Sequence, residues 1–436
     1  MRPNIVFMIT HDTGTRLGCY GGGGVTPQID ALAAQGVRLV NYFASAPQCS
    51  PSRGSILTGK APHANGLMGL TNMGWDLPAS NRTLPSLLNE AGYTTRLIGH
   101  QHVHRDRTVI GYAETSNPIR EAPFFARIVC KSGEKFFKRV ARGDVQQPFY
   151  LELGFTETHR PFITGRQRRP RQGDVTVPPY LPHTVAVRDD IARFDGMLAE
   201  VDHHVGQLLE ALEKQDLARN TLVIFTTDHG WPFPRAKGTL YDAGIRSACV
   251  MRWPGKIPAG QSVDALLSNV DLMPTLLDVA GARLDGEGIA GIQGRSFKGL
   301  LTGDSYTPRE CIHAELTYHD QGYNPMRCIR TARWKYIHNF NTIGDQLFQI
   351  PNDFRDGPSG KAYRDAHPEY HHPRPLEELY DLEVDPGERD NLASKPAYST
   401  TKKELHEKLF SYLIETADPV LSGHVPAPEK KGPMLM

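Results

Sequence analysis

The chain is predicted to be an α/β protein: a large, mixed, mainly parallel sheet covered by helices on both faces, followed by a smaller α+β subdomain. Three observations predict this. The runs Asn4 to Thr10 and Thr221 to Thr227 are largely apolar rather than alternating, as expected of strands covered on both sides. Up to about residue 300, such runs alternate with helical periodicities, which favours parallel strands joined by crossovers. From about residue 306 the pattern changes to short strands separated by loops, which suits a small antiparallel sheet. We therefore expect a large domain over residues 1–305 and a subdomain over residues 306–436.

Taken in order, the first strand ends in His11-Asp12-Thr13-Gly14 and is followed by a Gly-rich loop. Thr26-Pro27 opens a helix in which Ile29, Leu32, Ala33 and Val37 keep helical spacing, with Gly36 near its end. In Pro47-Gln48-Cys49-Ser50-Pro51-Ser52-Arg53, Pro51 is pre-set for a first helical turn, Ser50 can cap it and Gly59 can end it. Cys49 then lies at a helix N-terminus, which favours anions, and Arg53 follows one turn later as a bidentate partner for sulfate or phosphate. Residues 59–69 read as loop, Thr83 to Ala91 as a helix, and Thr94 to Ile98 as a strand ending in Gly99-His100-Gln101-His102. Lys131 to Arg142 reads as a basic helical piece with a solvated face.

Pro148 to Phe155 is a further strand, ending in Thr156-Glu157-Thr158-His159. An Arg- and Pro-rich loop leads to a long amphipathic helix from about Asp189 to Lys214, striped by Ile191, Phe194, Val201, Val205, Leu208 and Leu212. The Thr221 to Thr227 strand ends in Asp228-His229-Gly230, and Leu272 to Val279 is helical. In the subdomain, strands are expected at Cys328 to Thr331, Trp334 to His338 and Glu378 to Leu382, and a helix at Lys402 to Ile414. The residues from Pro426 read as a loose tail.

Composition narrows the function classes. The formal net charge is +1, which offers no case for nucleic acid or an anionic membrane as partner. The 6 cysteines are scattered without paired spacing, so neither a disulfide framework nor a zinc knuckle is indicated. The apolar run Ile5 to Ile9 is too short for a secretion signal, and no stretch approaches the length of a membrane span. A cytoplasmic chain is the expectation, although a trimmed exported protein would read the same way.

Chemistry collects where strands end. Four runs read as strands finish in residues able to bind a metal or move a proton: His11/Asp12, His100/His102, His159 and Asp228/His229. Ligands of open α/β sheets bind beyond the carboxyl ends of the strands. Asp12 and Asp228 with neighbouring His can hold a divalent cation; carboxylates suit Ca²⁺ or Mg²⁺, whereas imidazole pulls toward Mn²⁺ or Zn²⁺. Arg53, a Lys and His residues would balance a dianionic ester as charge moves to the leaving group. Lys237 follows Asp228-His229 closely enough to return to the same pocket.

The string Cys49-x-Pro51-Ser52-Arg53 followed by Leu57-Thr58-Gly59 resembles the signature of the type I sulfatases. The resemblance extends to Asn4-Ile5-Val6 leading into His-Asp, Asp228-His229-Gly230, Met251-Arg252-Trp253-Pro254-Gly255, Asp271 to Leu277, and Leu379-Tyr380-Asp381-Leu382. Pro62-His63-x-Asn65-Gly66, Gln101-His102-Val103 and Tyr336-x-His338-Asn339 are most similar to the heparan N-sulfatase branch. The resemblance implies an alkaline-phosphatase-like fold and a hydrolase of sulfate esters or sulfamates, acting on a small sulfated sugar or the end of a glycan. It implies that a formylglycine-generating enzyme oxidises Cys49 to formylglycine, whose hydrate attacks sulfur. Arg53 would steady that hydrate, His102 would help regenerate the aldehyde, His159 would protonate the leaving group, and Lys237 would bind sulfate. Asp12 and Asp228, with His11, Cys49 and His229, form the expected metal set.

Departures from the family pattern are informative. His11 stands where the family commonly has Asp, His229 where it has Asn, and His100 where it has Lys. Ca²⁺ is the first choice of metal, with Mn²⁺ or Zn²⁺ as alternatives. The Asp-His pair also resembles phosphonate monoester hydrolases, which keeps a phosphonate or phosphodiester hydrolase open as a second reading and a non-catalytic binding protein as a third. His100, Lys237, His313, His319 and Arg327 are candidates for contacting substrate, and a homo-oligomer is left open.

Overall fold

Strand β1 (Asn4–Thr10) is buried at every position and is the axis of a computed structural model describing residues 2–116, 125–282, 291–320, 322–342 and 350–429. Ile5, Phe7 and Ile9 pack into one apolar cluster, and Val6 and Met8 into another on the opposite face. A strand wrapped this way has no room for polar side chains, which is why its sequence does not alternate.

The remaining strands follow in chain order: β2 (Val37–Leu39), β3 (Tyr42–Phe43), β4 (Thr94–Gly99), β5 (Glu114–Ser116), β6 (Phe149–Gly154) and β7 (Thr221–Thr227). After them come β8 (Cys249–Arg252), β9 (Gln261–Val263), β10 (Leu267–Ser268), β11 (Cys311–His319), β12 (Gly322–Thr331), β13 (Trp334–Asn339) and β14 (Glu377–Asp381). The large sheet has 8 strands in the order β5-β4-β6-β1-β7-β8-β2-β9. β8 runs antiparallel to both neighbours, and the other pairings are parallel. β3 and β10 form a separate short parallel pair.

Helices Ala126–Ala141 and Val185–Lys214 cover the face that carries Val6 and Met8. Helices Cys49–Thr58, Leu84–Glu90 and Leu272–Val279 cover the other. This is the mixed, mainly parallel, doubly covered sheet expected from the sequence. The second sheet, β11-β12-β13-β14, is antiparallel throughout, and helix Ser399–Glu415 packs against it through Leu405, Leu409 and Leu413.

Four local expectations are corrected. Val37 does not extend the helix opened by Thr26-Pro27, which ends at Ala34, but begins β2. Ser50 does not cap the Cys49–Thr58 helix: the cap position is Gln48, without a side-chain bond, and Ser50 Oγ instead accepts the Thr71 N–H at 3.1 Å. Residues 59–69 contain a short helix, Pro62–Asn65, rather than only loop. β11 and the first half of β12 were not foreseen, because their polar residues face partners elsewhere in the chain and break any local pattern. No helix among the described residues is long and apolar enough to cross a membrane. Part of the tail, residues 430–436, lies outside the described residues.

Candidate active site

The sheet order explains why the chemistry gathers. β4, β6, β1 and β7 are consecutive neighbours, all parallel, so the residues after their carboxyl ends emerge side by side. Gly154 brings two of these ends close: a side chain there would collide with the His100 carbonyl. Asp12 and His102 both adopt left-handed backbone, with φ of 55° and 57°, turning the chain sharply as it leaves the sheet.

The Cys49–Thr58 helix begins directly over these strand ends. Cys49 Sγ lies 3.4 Å from His229 Nε2, 3.5 Å from His11 Nδ1 and 3.7 Å from Asp12 Oδ1. One donor atom each from His11, Asp12, Cys49, Asp228 and His229 falls within 4.8 Å of all the others, and all five residues are buried. Arg53 binds Asp228 Oδ2 through Nε at 3.0 Å and the Thr10 carbonyl through Nη2 at 3.0 Å. Lys237 Nζ donates to Asp12 Oδ2 at 2.7 Å and lies 3.2 Å from His159 Nε2. His11 Nε2 is 3.2 Å from His100 Nε2, and the His102 ring centre is 5.5 Å from that of His11.

Electrostatics follow from this packing. Burial would raise Asp12, but Lys237, then His159 and His229, hold it well below the usual carboxylate range. Burial likewise opposes ionisation of Asp228, yet the nearby His229, His11 and Arg53 hold it down. Burial would lower Lys237, but Asp12 and Asp353 keep it firmly charged. Burial pushes the Cys49 thiol up despite Lys237, lowers His11 to about 4, and lowers His100 and His102 well below the ordinary imidazole value.

The donor set fits a divalent cation. His229 Nδ1 donates to the Gly230 carbonyl at 2.9 Å, which leaves the Nε2 lone pair facing Asp12 Oδ1 at 3.0 Å. Two electron-rich atoms at that separation need a proton or a cation between them, and a backbone-anchored imidazole is the usual second-sphere arrangement of a metal ligand. Oxygen donors together with two imidazoles match Mn²⁺ or Zn²⁺ at least as well as Ca²⁺.

Comparison with known proteins bears on the identity of this centre. Residues 3–282 match the profile of the family described as Sulfatase. The chain belongs to the sulfatase family. Its members hydrolyse sulfuric esters, and this sulfatase also matches the profile described as "N-sulphoglucosamine sulphohydrolase, C-terminal" over residues 227–359. It is 29% identical to human N-sulphoglucosamine sulphohydrolase, covering 96% of this chain and 91% of that protein. It is 28% identical to an ulvan-active sulfatase of Formosa agariphila, covering 96% of this chain and 76% of that one. Among solved structures, a protein in complex with its substrate D-glucosamine-2-N,6-O-disulfate superposes with a TM-score of 0.73 at 21% identity, covering 96% of this chain and 99% of that one. A 2-O GAG sulfatase superposes with a TM-score of 0.73 at 23% identity, covering 99% of each chain. These two likenesses concern the fold.

The sulfatase does not bring every sequence candidate to this centre. Arg327 is buried in the second sheet, where Nη2 pairs with Asp418 at 2.9 Å and Nη1 donates to the Leu316 and Met326 carbonyls at 3.0 Å. It is a structural cation, not a substrate contact. His313 stacks face to face on Tyr412, with ring centres 3.7 Å apart, and so belongs to the contact between the second sheet and helix Ser399–Glu415. His319 is nearer: it pairs with Asp320 at 3.3 Å, and Asp320 accepts the Asn352 N–H at 2.9 Å, next to Asp353.

Asp353 is the residue that sequence reasoning missed. Its Oδ2 accepts from Lys237 Nζ at 2.8 Å and lies 3.7 Å from His159 Nε2. It comes from a short helix, Asn352–Arg355, more than a hundred residues from either partner, and no local motif marks it.

Proposed function

We propose that this sulfatase uses formylglycine at position 49 and a divalent cation to remove sulfate from a sulfated amino sugar, an N-sulfated glucosamine unit being the first choice. The observation that supports it most is the position of Cys49: at the start of a helix, within 3.7 Å of two imidazoles and a carboxylate. The family match and the names of its relatives support the sulfated-sugar substrate.

Asp12, Asp228, His11 and His229 would hold the cation, which when bound supplies positive charge beside the sulfate oxygens. Formylglycine supplies a hydrated aldehyde, one hydroxyl of which attacks sulfur. Arg53, held by Asp228 and the Thr10 carbonyl, orients position 49 from one helical turn away. Lys237 presents a permanent positive charge to a sulfate oxygen, replacing contacts it makes with Asp12 and Asp353. His159 Nδ1 donates to the Arg160 carbonyl at 2.6 Å, so Nε2 is the atom that delivers a proton to the leaving nitrogen or oxygen. His100 and His102, kept neutral by burial, line the same pocket as hydrogen-bonding groups rather than as charges.

The test is sulfate release by protein co-produced with a formylglycine-generating enzyme. N-sulfoglucosamine and 6-O-sulfoglucosamine should be hydrolysed much faster than a phosphonate monoester. Cys49→Ala should be silent while remaining folded, because the helix start uses no Cys49 side-chain bond. Faster turnover of the phosphonate, or near-normal activity in Cys49→Ala, would contradict the proposal.

A further inference from the structure

Outside the catalytic centre, a second group of metal-binding side chains forms where the C-terminal helix meets the small sheet. His338 lies near the end of β13, and Glu377, which opens β14, is its direct antiparallel partner. His406 comes from the second turn of helix Ser399–Glu415. One donor atom from each of the three lies within 4.8 Å of the other two. None of the three belongs to the Cys49 cluster.

The side chains are held in place before any ligand arrives. The His406 ring stacks on Phe410 with centres 4.2 Å apart, and the His338 ring packs edge-on against Phe340 at 4.6 Å and Phe410 at 5.1 Å. Lys402, one turn before His406, takes Glu377 Oε2 at 2.7 Å, which orients Oε1 toward the histidines. His406 Nδ1 is 3.9 Å from that oxygen. The Tyr336 hydroxyl sits among the donors, 2.8 Å from Glu377 Oε1, 2.9 Å from His406 Nδ1 and 3.2 Å from His338 Nδ1. Two imidazole nitrogens, a carboxylate oxygen and a phenol oxygen therefore converge on one half-buried point.

We propose that His338, Glu377 and His406 form a divalent-cation site, with Zn²⁺ the fitting ion, that ties the C-terminal helix to the edge of the small sheet. Two imidazoles and one carboxylate are a common Zn²⁺ ligand set, and the fourth position falls to water or to Tyr336. Donor atoms around tetrahedral Zn²⁺ stand about 3.3 Å apart, so ligation draws the three together from separations such as the 3.9 Å between His406 and Glu377. Each neutral imidazole offers its Nδ1 lone pair to the ion with its proton carried on Nε2, and Tyr336 gives up its bonds to them. A Zn²⁺ ion here would add a tie among β13, β14 and the helix to the β13–β14 ladder, the Lys402–Glu377 pair and the apolar contacts of Leu405, Leu409 and Leu413.

The test uses the full chain and Zn²⁺ alone. Metal analysis after equilibration with Zn²⁺ and gel filtration should show about one ion fewer per chain in His406→Gln and in His338→Gln than in the wild type, with aryl sulfate turnover unchanged. On the wild type itself, Zn²⁺ should protect His338 and His406 from carbethoxylation by diethyl pyrocarbonate, read by peptide mass spectrometry. An unchanged Zn²⁺ content in either variant, or modification of both histidines at the same rate with and without Zn²⁺, would overturn the proposal.

Discussion

His159 illustrates how a backbone contact assigns a chemical role. With Nδ1 committed to the Arg160 carbonyl, its one exchangeable position points at Lys237 and Asp12. His159→Asn should lower kcat for N-sulfoglucosamine by about 10²- to 10⁴-fold, the usual contribution of a general acid. For an aryl sulfate with a good leaving group, the loss should be under about tenfold. Equal losses on both substrates would show that His159 does not deliver the proton. The polar residues after β1, β4, β6 and β7 stood out as candidates because each follows a run read as a strand and lies beyond its carboxyl end. Asp353 did not, because its meaning depends on a contact with Lys237 made across the fold. Arg327 and His313 were misplaced for the same reason: the partners that absorb them, Asp418 and Tyr412, are remote in sequence.

At the level of elements, the small sheet docks on the turn that follows the Lys237 loop through buried charges. Lys335 of β13 is fully buried, with Nζ 2.6 Å from Asp242 and 2.7 Å from Glu388, and Arg330 of β12 reaches Asp242 at 3.1 Å. Breaking such a group from one side leaves buried carboxylates without their cation. Lys335→Met should therefore destabilise the protein by about 3–5 kcal/mol, as measured by urea unfolding. A change below about 1 kcal/mol would mean that the cluster is hydrated and contributes little to docking. The helices and central strands were readable from periodicity and from the C-terminal Gly59, whereas the N-cap read at Ser50 is not formed. β11 was not readable, although Ile312, Ala314 and Leu316 alternate with polar residues, because the partner that buries Glu315, His63, lies far away in sequence.

For the molecule as a whole, the order of the sheet is what turns scattered motifs into a site, and the short helix Asn352–Arg355, between β13 and β14, brings Asp353 to it. The whole fold should also respond to acid through its imidazoles. Burial against Tyr412, then the charges of Arg309 and His63, lower His313 from 6.5 to about 3. The unfolded chain thus binds a proton at this position between those values while the folded chain does not, so stability falls as pH drops from 6.5 toward 3. His313→Phe, which can keep the ring stacking, should lose that part of the slope, and its stability relative to the wild type should rise steadily over the same window. A constant difference between the two proteins across that range would contradict this assignment. The parallel core and the polar strand ends that could hold a metal were read from one chain because they rest on local patterns. The docking of the second sheet was not, since it depends on charge pairs whose members are far apart in sequence.

The central claim is that position 49 is oxidised and is the attacking group. Mass spectrometry of the peptide that contains Cys49, taken from active protein made with its maturation enzyme, tests it most directly. The account predicts the mass and the hydrazine reactivity of an aldehyde at position 49, in proportion to specific activity. Full activity with only the unmodified thiol present would contradict it.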